Sequence, residues 1–138
     1  MKTYSKISFI VIVLFGLVAS SCKEDDKQDC TAVACTEEFR TITLTVSDQN
    51  GDPVIFDDYY TFIDSRNRFK IEQDVSFIAQ GIYPVASDAE LNQLSFEGTI
   101  LTFVGEIDDQ NIIEHQMLIG KDCCHISLIS GEMTVQID

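Results

Sequence analysis

From Glu38 to the C-terminus the apolar residues recur mostly at every second position, and that period decides the fold class. Phe39-Arg40-Thr41-Ile42-Thr43-Leu44-Thr45-Val46 is the clearest stretch. Ile42, Leu44 and Val46 fall on one side, and Thr41, Thr43 and Thr45 on the other. Side chains alternate across a strand, so this pattern predicts a half-buried strand built from good β-formers. Asp48-Gln49-Asn50-Gly51-Asp52-Pro53 then reads as a turn: Asn-Gly supplies positive-φ positions and Pro53 stops the ladder. Further strands are expected over 54–56, 59–63, 69–72, 75–78, 82–85, 99–104, 112–119, 124–129 and 133–137. Polar turns at 65–68, 108–111 and 130–131 separate several of them. Ser87-Asp88-Ala89-Glu90 has the spacing of a capping box and, with Leu91 and Leu94, predicts one short helix near residues 88–94. It is the only place where the sequence suggests a helix. Many short strands divided by Gly, Asn and Asp predict an all-β fold, an antiparallel β-sandwich. The chain has no Trp, so the core must rest on Phe, Ile, Leu and Val.

The period does not extend to the N-terminus. Lys2 and Lys6 are followed by an apolar run over 7–18 and by the small residues Ala19, Ser20 and Ser21. This order predicts a secretory signal over residues 1–21. The run is short for a spanning helix, and a polar, acidic stretch follows it directly. The formal net charge is −14, and the predicted signal carries two lysines and no acid, so the remainder is more acidic still. So acidic a chain repels phosphate backbones, which excludes nucleic acid as an expected partner. Residues 22–34 read as a solvated tether, because Lys23-Glu24-Asp25-Asp26-Lys27-Gln28-Asp29 has no apolar side chain to bury. Residues 35–138 are then the single β-sandwich domain.

Val18-Ala19-Ser20-Ser21-Cys22 resembles the lipobox of bacterial lipoproteins, with alanine at position 19 where leucine is commoner. The resemblance implies that Cys22 is lipidated and becomes the first residue of the exported protein. Each buried methylene contributes about 0.8 kcal/mol, and two or three chains hold where one does not. The lysine and acids after Cys22 resemble the surface-export signal of lipoproteins from Bacteroidota. The expected partner is therefore a membrane, reached through the lipid on Cys22. The expected location is the outer membrane, with display on the cell surface as a further implication.

Five cysteines are present, an odd number for an exported protein. If the lipid takes Cys22, then Cys30, Cys35, Cys123 and Cys124 remain. An oxidising compartment favours two disulfides among them. Three connectivities are open. The local one needs a vicinal Cys123–Cys124 bridge, which closes a strained ring. The other two cross-link the start of the domain to its end and are preferred, and they would hold the first and last strands side by side. A loop of about 90 residues closed in this way contributes roughly 4–5 kcal/mol as an upper figure. The competing chemistry is a zinc site made from Cys123, Cys124 and His125 with Cys30 and Cys35. The intervals lack the Cys-x-x-Cys spacing that such sites use, and adjacent cysteines on a strand point to opposite faces.

Ile42-Thr43-Leu44-Thr45-Val46-Ser47-Asp48 with Asn50-Gly51-Asp52-Pro53-Val54 resembles the opening of carboxypeptidase regulatory-like, or transthyretin-like, domains. Gly81-Ile82-Tyr83-Pro84-Val85 is similar to their later Gly-x-Tyr-x-Val segment, although Pro84 and the Cys-Cys-His run depart from the pattern. The resemblance covers about the first half of the domain. It implies a prealbumin-like sandwich without an activity of its own. The overall layout also resembles small uncharacterised lipoproteins of Bacteroidota.

Other candidate chemistry is sparse. Asp48 to Asp52 begins like a calcium loop, but Pro53 and Tyr59 stand where glycine and glutamate are required. Asp57-Asp58-Tyr59-Tyr60 could bind calcium with Asp64 or Asp74, or stack tyrosines on a sugar or peptide, or be a solvated edge. The solvated edge is the favoured reading. His115 and His125 are the only histidines, no nucleophile elbow, zinc-protease helix or phosphate loop exists, and His125 reads as a strand-face residue. The expectation is a non-enzymatic accessory or binding module of the cell envelope, without cofactor or metal and with an extracellular or periplasmic ligand. A zinc or calcium domain is the first alternative. A small carboxylate-dependent hydrolase using Asp57 and Asp58 is the second.

Overall fold

The computed structural model of the protein describes residues 28–63 and 67–138. The predicted signal, Cys22, residues 23–27 and Asp64 lie outside the described residues. The eight strands are β1 (Thr41–Ser47), β2 (Asp58–Ile63), β3 (Asn67–Phe69), β4 (Ile82–Ser87), β5 (Thr99–Ile107), β6 (Gln110–Lys121), β7 (Ile126–Ser130) and β8 (Thr134–Gln136). They form a three-stranded sheet in the order β4-β1-β8 and a five-stranded sheet in the order β3-β2-β5-β6-β7. The fold is all-β, with two layers and one core between them.

Each strand follows the chemistry of its residues. In β1 the predicted alternation is realised: Ile42, Leu44 and Val46 are buried and the threonines between them are not. The β5–β6 hairpin turns through Asp108 and Asp109, at φ 52° and 60°, with Ile107 paired to Gln110. Two successive left-handed residues match the twist of a two-residue hairpin, and aspartate tolerates that conformation. Ser87 and Glu90 form the capping box that their spacing predicts, and they start a 3-10 segment over Asp88–Gln93.

Three local features depart from the sequence reading. Residues 75–78 are not a strand but a single helical turn, α1 (Val75–Ile78). The Asp74 carboxylate accepts the Ser76 N–H at 2.8 Å, and Gly81 leaves the turn at φ +71°. A cap and a left-handed glycine decide so short a segment, because four mostly apolar residues carry no usable period. Residues 54–56 form no strand; the pairing there is an isolated bridge from the preceding Pro53 to Ser47, and Pro53 has no N–H to continue the ladder. The strand expected over 69–72 is displaced: β3 ends at Phe69 and includes Asn67 and Arg68, positions expected in a turn.

All strand pairs are antiparallel except one. β8 leaves the five-stranded sheet, crosses to the other layer through Gly131 at φ +123°, and lies parallel to β1. Val46 pairs with Val135, and the Thr45 N–H donates to the Met133 carbonyl at 2.8 Å.

The core is organised around Tyr83. Its ring, fully buried on β4, lies 4.9 Å from Phe56, 5.1 Å from Tyr59 and 5.7 Å from Phe103 between ring centroids. One aromatic ring of the smaller sheet therefore seats against two rings of the larger one. Its hydroxyl accepts the Phe56 N–H at 3.0 Å and donates to the Val54 carbonyl at 2.8 Å. These two bonds satisfy the backbone of the bridging segment that forms no strand. Gly105 belongs to the same cluster: a Cβ there would lie 2.5 Å from the Phe56 ring. Tyr83→Phe keeps the ring but leaves a buried N–H without an acceptor. It is expected to cost about 1–3 kcal/mol in urea unfolding, and a loss below a few tenths would show that the hydroxyl pairing is dispensable.

Candidate functional site

The four described cysteines form two bridges, Cys30–Cys123 and Cys35–Cys124, across sequence separations of 93 and 89 residues. Cys123 and Cys124 sit in the turn between β6 and β7 rather than on a strand. The opposite-face rule for adjacent strand residues does not apply there, and both sulfurs reach the one segment that precedes β1. The sulfurs of the alternative zinc set are thus bonded to one another. The bridges do not join the first strand to the last. They join the segment before β1 to the β6–β7 turn, whereas β1 and β8 meet through backbone hydrogen bonds at the far end of β1.

Beside the second bridge three side chains from distant segments meet. The Asp88 carboxylate receives His125 Nδ1 at 2.8 Å, the Arg40 N–H at 2.8 Å and the Ile126 N–H at 2.8 Å. His125 Nε2 lies 3.1 Å from Thr36 Oγ1. An ionised carboxylate only accepts, so Nδ1 carries a proton, and in the neutral ring Nε2 is the acceptor for the Thr36 hydroxyl. Burial alone would raise the Asp88 carboxyl, but the hydrogen bonds from His125, Arg40 and Ile126 outweigh it and hold the group below the usual aspartate range. Asp122 is also held low, by the N–H groups of Cys124 and His125, which shape the turn from inside. His125 is buried and doubly bonded just before β7, not a strand-face residue. A shallow cavity of about 210 Å³ opens at this pole, lined by Gln28, Val33, Asp122, Cys123 and Cys124.

A second candidate is the outer face of the five-stranded sheet. Phe62 of β2, Thr102 and Val104 of β5, and Glu114 and Gln116 of β6 line an open depression of about 260 Å³. Tyr60 and Phe62 meet edge to face, and the Arg68 guanidinium lies 3.5 Å over the Tyr60 ring. The Tyr60 hydroxyl donates to Glu106 at 2.6 Å, a bond that raises the phenol above its ordinary range. Ile100 and Ile129 remain exposed. Thr102 and Gln116, paired across β5 and β6, make no side-chain hydrogen bond among the described residues. The depression thus has an apolar floor and unspent polar groups.

The acidic tyrosine run resolves differently from its sequence reading. Tyr59 is buried in the core and donates to the Ile71 carbonyl at 3.0 Å, and Tyr60 is buried under Arg68. Neither offers an exposed ring. Asp58 lies on an interior strand and pairs with Lys70 at 2.6 Å and Arg68 at 3.2 Å, which hold its carboxyl low. Asp57 accepts the Asp108 N–H at 2.8 Å, and Asp74 caps α1. Asp48 Oδ1 accepts the Asn50 and Asp52 N–H groups, so it shapes the turn. Among the described residues no group of three or more His, Cys, Asp or Glu side chains is placed to hold a metal ion. No described helix is long and apolar enough to cross a membrane. The chain matches no protein-family model, no curated protein and no solved structure.

Two outcomes test this geometry. With Cys35–Cys124 closed, Cys30–Cys123 adds only a small ring, so the bridges act non-additively. Cys30→Ser with Cys123→Ser is expected to cost about 2–3 kcal/mol, and removal of the second bridge roughly 4–5 more, as upper figures in urea unfolding. Equal, additive losses would contradict the shared loop. The lowered Asp88 carboxyl contributes stability above the unfolded value of about 3.9, and that contribution is lost as pH falls through the folded value. Asp88→Asn is therefore expected to lower the urea midpoint at pH 7 and to flatten its decline between about pH 5 and pH 3. An unchanged acid limb would refute the assignment.

Proposed function

We propose that the protein is an envelope lipoprotein, fixed to the outer membrane through Cys22, that binds its ligand on the outer face of the five-stranded sheet. The observation that carries the binding role is the open depression between Phe62, Val104, Thr102, Glu114 and Gln116. A sandwich needs only one face of each sheet for its core. An outer face with an aromatic ring, a valine floor and unspent hydroxyl and amide groups has more than solvation to serve. A sugar ring suits this lining: its C–H face covers Phe62, and its hydroxyls meet Thr102, Glu114 and Gln116. The net charge of −14 disfavours an anionic ligand.

The lipobox-like junction supports the anchor. The chain from Cys22 to the first bridge at Cys30 spans at most about 29 Å when fully extended. The pole carrying Cys30, Cys123 and His125 is then the membrane-proximal one, and the Asp108-Asp109 hairpin points away.

Palmitate labelling of cells is expected to mark the protein and to vanish in Cys22→Ser, and label surviving that change would remove the anchor. A glycan array probed with the purified domain is expected to show binding that Phe62→Ala and Gln116→Ala each weaken at least tenfold, with melting unchanged. Binding indifferent to both substitutions would move the ligand off this face.

A further inference from the structure

At the bridged pole, Thr36, His125 and Asp88 stand in the order that a nucleophilic hydroxyl, its base and the residue that orients the base require. We propose that this cluster is an acyl-transfer site in which Thr36 Oγ1 attacks small, unhindered carboxylic esters. The site is independent of the sheet face and departs from the non-enzymatic expectation drawn from the sequence.

Four observations carry it. The donor order is correct: Thr36 O–H toward Nε2 at 3.1 Å, and Nδ1–H toward Asp88 at 2.8 Å. Exposure is graded along the chain of groups, with Thr36 on the surface and the side chains of His125 and Asp88 only 8% and 10% exposed. An ester can reach the hydroxyl, while the base and its partner stay shielded. Asp88 is fixed independently by the Arg40 and Ile126 N–H groups, so it does not need His125 to hold its place. Finally, the Cys35–Cys124 bridge joins the residues that directly precede Thr36 and His125, so a covalent link sets the distance between nucleophile and base. Asp88, bonded to Nδ1, and Asp122, which accepts the His125 N–H, are the carboxylates beside the base.

The step balances without a cofactor. Thr36 Oγ1 forms a bond to the ester carbonyl carbon while its proton passes to His125 Nε2. The C–O bond to the leaving alcohol breaks, and that alkoxide takes the proton from Nε2. Water then attacks the acyl-threonine by the same route and releases the acid. The N–H groups of Thr36, Glu37 and Glu38 donate to no atom of the described residues. Thr36 and His125 are the catalytic residues, and Asp88 is a positioning residue.

The test uses the mature chain with both bridges intact, an alkyl fluorophosphonate probe and p-nitrophenyl acetate. Mass spectrometry is expected to find one adduct, on Thr36. Thr36→Val, which alters one exposed side chain, should abolish the adduct, and Thr36→Ser should keep or raise the rate. His125→Gln should slow labelling by about 10²–10⁴-fold. Cys35→Ser with Cys124→Ser, which leaves the first bridge closed, should slow it as well. A folded wild-type protein with no adduct on Thr36 would overturn the proposal. So would an adduct formed equally fast in His125→Gln, which would mark the cluster as a strap alone.

Discussion

The rest of the molecule depends on two covalent links made at one place. Cys30–Cys123 and Cys35–Cys124 close almost the whole described chain into a loop, and the second link adds a small ring to the first. A domain of this size buries too little apolar surface to carry a large margin of stability, and constraining the unfolded chain is an efficient remedy. The same links have a local effect. They bind an irregular segment, which joins neither sheet, to the β6–β7 turn, and they bring Thr36 within reach of His125. Stabilisation of the fold and assembly of the Thr36–His125–Asp88 cluster have one cause.

The second organising contact is the Tyr83 ring between the sheets. With no Trp, the core uses Phe56, Tyr59, Tyr83 and Phe103 as its large elements. Because the inward faces of β2, β5 and β6 meet this cluster, their outward faces are left without a second layer. Apolar residues there, such as Val104 and Ile100, are not demanded by the core. They lie on the outer face of the larger sheet, where Val104 helps to line the open depression.

Legibility in the sequence followed the strength of local signals. The alternation of Ile42, Leu44 and Val46 placed β1, and Ser87 with Glu90 placed the capped segment, because neighbours within four residues decide both. Val75 to Ile78 misled because four residues satisfy either period, and Asp74 with Gly81 tipped the balance. Tyr59 and Tyr60 read as candidate ligand-stacking rings, but register puts one in the core and Arg68 covers the other. Position in the sheet decides this, and it depends on β3 and β5. Thr36, Asp88 and His125 escaped notice as a group. Separations of 37 and 89 residues leave no motif to read.

What the sequence by itself determined is the class: an all-β domain, a strongly acidic surface, and cysteines at both ends. These follow from composition and from periods of two, which act residue by residue. Tertiary structure alone decided which sulfurs meet, that β8 crosses layers to lie parallel to β1, and that a threonine, a histidine and an aspartate form one chain of hydrogen bonds. Each of these depends on distances between segments far apart in the chain, and such distances exist only once the two sheets have packed.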